Sequence, residues 1–129
     1  MNLRITLVAI VLFLVLDAFY LGTMSGEWNK LLVRIQGSPL KVKMIPAVLC
    51  YFLIVFSWYY FIYSEYRVHR NVLRSVKTAF ILGFVIYGIY ELTNAAIINK
   101  WGWKYVVMDT LWGGILYALV TYIALKFGQ

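Results

Sequence analysis

The chain has 129 residues, of which 64% are hydrophobic and only 13% charged. A soluble domain is nearer 45–50% apolar and about 25% charged, and one this small keeps much of its surface in water, so a soluble fold is excluded. The net charge of +7 does not make it a nucleic-acid binder, because the basic residues fall between apolar runs, where they suit lipid headgroups.

Four apolar runs set the expected architecture: an all-α, integral-membrane, multi-pass four-helix bundle, forming one transmembrane domain over residues 1–129. The predicted spans are about 5–23, 44–63, 76–98 and 105–125. Each is close to the ~20 residues a helix needs to cross the hydrocarbon core. Helices pair all their backbone groups internally, as a bilayer requires, and the alternation of a barrel strand is missing. The first run follows Arg4 like a signal peptide, but Asp17 and the bulky pair Phe19-Tyr20 stand where a small-residue cleavage site would lie. It is read as a retained helix.

Between the first two runs, residues 25–43 carry Lys30, Arg34, Lys41 and Lys43, with Trp28, Leu31, Leu32 and Ile35 at helical spacing. This pattern predicts a short amphipathic helix lying in the interface, ended by Gly37-Ser38-Pro39. Pro46 sits in the first turn of the second helix, where proline is tolerated. Near the end of that helix, Trp58, Tyr59, Tyr60 and Tyr63 read as an interfacial aromatic belt. Residues 64–75 form a basic connection with Arg67, His69, Arg70 and Arg74. His69 reads as a solvated loop residue, without metal-ligand spacing around it. The last connection, residues 99–104, is short, so the third and fourth helices must be antiparallel neighbours.

Four spans put both termini on one side. The 12 Lys and Arg residues then divide evenly between the two sides, so the positive-inside rule does not orient the chain.

Asp17, Glu91 and Asp109 lie inside apolar runs. An ionisable group near the bilayer centre costs at least ~2.5–3.5 kcal/mol, so such residues face inward and take partners. Alternating helix direction places all three in the same leaflet. Asp17 and Tyr20, Glu91 and Asn94, and Asp109 and Trp112 each stand three residues apart and share a helix face. The expected polar cluster is therefore Asp17, Tyr20, Glu91, Thr93, Asn94, Asp109 and Trp112. It serves either as hydrogen-bonding glue between helices or as a pocket for a proton, cation or lipid headgroup. Lys100 and Lys104 are candidates to fold back onto Glu91 or Asp109.

Small residues mark the expected helix-packing faces: Gly22 and Gly26 in the first helix, Ala79 and Gly83 in the third, and Gly113, Gly114 and Ala118 in the fourth. The single Cys50 gives neither a disulfide nor a metal site. No phosphate loop, nucleophile elbow or metal-binding spacing is present, so no cofactor, metal or catalytic residue is expected.

The run Tyr90-Glu91-Leu92-Thr93-Asn94, then Trp101, then Asp109-Thr110-Leu111-Trp112-Gly113, resembles the C-terminal signature of domain-of-unknown-function family 2177. Leu16-Asp17, Tyr20 and Leu21-Gly22 match that family's first-helix motif. The family comprises small four-span membrane proteins of bacteria and some large DNA viruses. This chain departs from it with Glu91 where Asp is common and Tyr20 where Trp is frequent; both keep the chemical type. The resemblance implies architecture and brings no activity. Two functional expectations lead, a structural or assembly component of a membrane, or a small proton or cation transporter using the same acids; an enzyme acting on lipid at the interface is a third and weaker one. Its partners are the lipid bilayer and either other membrane subunits or further copies of itself. The host membrane is left open between a cell membrane and a viral inner membrane.

Overall fold

The computed structural model describes residues 3–128. Four helices are long and apolar enough to cross a membrane: α1 (Leu3–Gln36), α2 (Met44–His69), α3 (Val72–Ile97) and α4 (Trp103–Phe127). The chain is a multi-pass integral membrane protein, helical throughout its ordered elements, with no strand among the described residues.

The stretch expected to be a separate interfacial helix is instead the continuation of α1, which runs unbroken for 34 residues. No proline interrupts it, and its apolar stripe finds protein rather than lipid. Leu31 is fully buried, and Trp28 packs against Trp101 and Tyr105 at centroid distances of 5.9 and 5.4 Å. At 1.5 Å per residue α1 is about 51 Å long, well beyond a ~30 Å hydrocarbon core. It stops where Gly37 takes φ +74°, a left-handed conformation glycine enters without Cβ strain. The chain then turns back, and Leu40 N donates to Asn29 Oδ1 at 2.9 Å.

α2 also outruns its predicted end at residue 63, continuing to His69 through a π turn at Tyr59–Tyr63. Ser64 Oγ donates to the Tyr59 carbonyl at 3.1 Å within this widened turn. The expected twelve-residue basic connection shrinks to Arg70 and Asn71. Arg70 adopts φ 59° to end α2, and Asn71 Oδ1 accepts from Arg74 N to start α3. The aromatic belt reading also fails in part. Trp58 and Tyr63 are buried and stacked at 5.8 Å, with only Tyr60 of the group exposed. Trp58 faces inward because Thr121 Oγ1 accepts its indole N–H at 2.9 Å.

α3 and α4 pack most closely. Gly83 and Gly113 bring the two backbones together: a Cβ on Gly83 would stand 2.1 Å from the Gly113 carbonyl oxygen. Gly114 leaves room for the Phe80 ring, and Ala79 is fully buried. Ala118 is only half-buried. A Cβ on Gly22 or Gly26, by contrast, meets nothing within 4 Å. Both lie on a face of α1 that no other helix covers.

The core centres on Phe13, which makes edge contacts with Trp58 and Tyr117 at 6.5 and 5.1 Å. The first half of α2 stands off this core. Met44, Ile45, Phe52 and Leu53 are each more than 60% exposed and turn towards lipid.

Candidate functional site

The three intramembrane acids meet. Asp17 lies on α1, Glu91 on α3 and Asp109 on α4, with relative exposures of 7%, 0% and 8%. Three-residue spacing on a helix puts an acid and its aromatic neighbour on one face, one turn apart. Because α1 and α4 run antiparallel, the aromatic of each helix sits level with the acid of the other. Tyr20 donates from its hydroxyl to Asp109 Oδ1 at 3.2 Å, and Trp112 donates from Nε1 to Asp17 Oδ1 at 3.0 Å. The two rings stack between the acids, with centroids 4.6 Å apart and planes 4° apart.

Two further donors, neither among the residues expected in the cluster, join the network. Tyr51 of α2 donates its hydroxyl to Asp17 Oδ2. Trp101, in the link between α3 and α4, donates Nε1 to Glu91 Oε1 at 2.8 Å. Tyr51 is a hydroxyl-bearing ring in an otherwise apolar stretch of α2, which was the available signal. Glu91 Oε2 is buried and accepts from no N–H or hydroxyl, and the Asp109 carboxyl lies against Glu91. No Lys or Arg reaches any of the three acids among the described residues.

Some expected members lie outside. Thr93 is exposed, and its hydroxyl turns back to the Ile89 carbonyl at 2.6 Å. A threonine in a helix readily satisfies itself this way, which removes it from the cluster. Asn94 is half-buried beside the Tyr90 hydroxyl rather than on an acid. Lys100 and Lys104 do not fold back onto the cluster. Lys100 Nζ donates to the Arg34 carbonyl at 2.7 Å, and Lys104 pairs with Glu27 at 2.8 Å. Both are drawn to the long end of α1, in the stretch expected to be a separate interfacial helix. Arg34 Nη2 donates to the Tyr105 hydroxyl at 3.0 Å, tying that extension to α4.

Chemically, the cluster offers carboxyl groups and aromatic donors. No three His, Cys, Asp or Glu side chains are arranged to hold a metal ion among the described residues.

A family model described as "Predicted membrane protein (DUF2177)" matches residues 2–126. No curated protein and no solved structure matches the chain.

Proposed function

The chain belongs to the DUF2177 family of predicted membrane proteins, and we propose that it is a structural or assembly component of its membrane, with the acid–aromatic cluster fastening its spans. The observation that carries this reading is Asp17, which accepts from α2 through Tyr51 and from α4 through Trp112 at once. One carboxylate thereby ties three helices, and Asp109 and Glu91 extend the tie to α3. Inside lipid no water competes for these groups, and apolar contact alone gives helices no preference over acyl chains. Specific hydrogen bonds therefore decide which faces meet.

The test is a pair of measurements on Asp17→Asn and Glu91→Gln in detergent and in liposomes. The structural role is supported if both changes lower the unfolding midpoint or disturb assembly, while proton and cation fluxes equal those of empty liposomes.

A second reading rests on a different observation, the contact between Glu91 and Asp109. Two carboxyl groups hydrogen-bond to each other only with a proton between them, and such a pair can load and release one. This reading makes the protein a small proton or cation carrier. It requires wild-type proteoliposomes to dissipate an imposed pH gradient and Glu91→Gln to stop that without loss of fold. Absence of any flux across pH 5–8 ends it.

A further inference from the structure

At the opposite end of the bundle from the acids, α2 ends and α3 begins around a small polar recess of about 120 Å³. Along α3 it lies about 24 Å from Glu91, at 1.5 Å per residue. Phe61 and Ile62 form its apolar wall; Glu65, His69, Arg74, Ser75 and Thr78 supply its polar groups. We propose that this recess binds a phosphate group, carried either on a lipid headgroup or free in solution.

Ser75 is the first reason. It is only 2% exposed, lines the recess, and its hydroxyl has no hydrogen-bond partner. A buried unpaired hydroxyl costs free energy unless something fills the gap. The neighbouring Thr78 behaves differently, donating to the Arg74 carbonyl at 3.0 Å. The second reason is Arg74. Its backbone N–H is capped by Asn71 Oδ1, but its guanidinium has no acidic partner among the described residues. Nearby arginines are already occupied by rings: Arg67 lies over Tyr63 at 6.0 Å and Arg70 over Tyr66 at 5.8 Å. Arg74 and Lys77 also border a second recess that shares Arg74 and Thr78 with the first, which gives an anion a cationic approach.

The third reason is the tautomer of His69. Asn71 N–H donates to His69 Nδ1 at 2.9 Å, so Nδ1 is an acceptor and a neutral ring carries its proton on Nε2. Ser75, Arg74 and His69 thus line the recess beside the N-terminal, positive end of the 26-residue α3 dipole. Glu65, exposed at the rim, is the one carboxylate in the lining and would disfavour an anion lying against it. A volume of about 120 Å³ is ample for one tetrahedral oxyanion.

The experiment uses the full chain in two settings. In phosphatidylcholine nanodiscs doped with phosphatidic acid, native mass spectrometry reads retained lipid. In lipid-free neutral detergent, inorganic phosphate against chloride at matched ionic strength reads a thermal shift. Wild type is compared with Arg74→Gln, Ser75→Ala and Arg67→Gln, each checked for native near-ultraviolet circular dichroism. Retention of phosphatidic acid that falls about tenfold in Arg74→Gln, and falls in Ser75→Ala but not in Arg67→Gln, supports the site with lipid as the source. A phosphate-specific shift lost in the same two variants supports it with free phosphate as the source. If neither ligand separates Ser75→Ala from wild type, or if Arg67→Gln loses as much as Arg74→Gln, the proposal is overturned. Should Arg74→Gln not fold, the comparison of Ser75→Ala with Arg67→Gln decides alone.

Discussion

Tyr20 and Trp112 stack almost in parallel across the α1–α4 interface, and each donates to the acid one turn from the other. The arrangement is reciprocal: acid and aromatic stand three residues apart on both helices, and antiparallel packing crosses them over. Removing either aromatic takes a donor from the acid on the other helix.

Removing one donor should therefore hurt. Tyr20→Phe leaves Asp109 without its aromatic donor, and Trp112→Phe strips Asp17 of one of two. Each should destabilise the protein by about 1–3 kcal/mol, the usual cost of a buried polar group losing its partner. In a separate double-mutant cycle, Tyr20→Leu and Trp112→Leu, which remove the rings, should couple by about 0.5–1.5 kcal/mol because the rings stack. Unfolding in mixed detergent measures both quantities, and strict additivity would show the stack to be incidental.

The glycines divide sharply in expectation. Gly83→Ala and Gly113→Ala place a methyl against backbone or the Tyr87 ring and should destabilise by at least about 1–3 kcal/mol, or prevent folding. Gly22→Ala and Gly26→Ala meet open space and should be neutral or gain up to ~1 kcal/mol of helix propensity. Thermal midpoints of the four variants check this. A large loss at Gly26 would mean that a second molecule covers that face.

Among the described residues Tyr51 supplies the one hydroxyl from α2 to the acid cluster, so Tyr51→Phe should release the first half of α2. Cys50, the single cysteine, is exposed on the adjacent position and can carry a nitroxide. Spectra of the labelled protein should show greater mobility in Tyr51→Phe than in wild type. Thr93→Val, whose hydroxyl serves only its own helix, should leave the spectrum unchanged.

The Lys104–Glu27 ion pair stands in the open, with side chains 63% and 33% exposed. Solvent and salt screen such pairs. Lys104→Gln should leave the unfolding midpoint unchanged within error, at low salt as at high. Arg34→Gln should lower it, since that guanidinium holds the half-buried extension of α1 to Tyr105.

The number of spans, their approximate places and the shared depth of Asp17, Glu91 and Asp109 follow from the chain itself. Apolar run length is a one-dimensional property, and helix alternation converts position into depth with no further information. The Asp17–Tyr20 and Asp109–Trp112 spacings were likewise legible, because a three-residue step fixes a common face whatever the helix packs against. Tertiary structure decided the rest. Whether residues 25–36 lie along the membrane or continue α1 turned on a partner, the Trp101–Tyr105 surface, which is distant in sequence. The same small residues could mark contact or open space, and only the crossing of α3 and α4 chose Gly83 and Gly113 over Gly22 and Gly26. Tyr51 and Trp101 became donors through three-dimensional proximity alone, and hydrogen-bond partners from separate helices leave no spacing in the sequence to read.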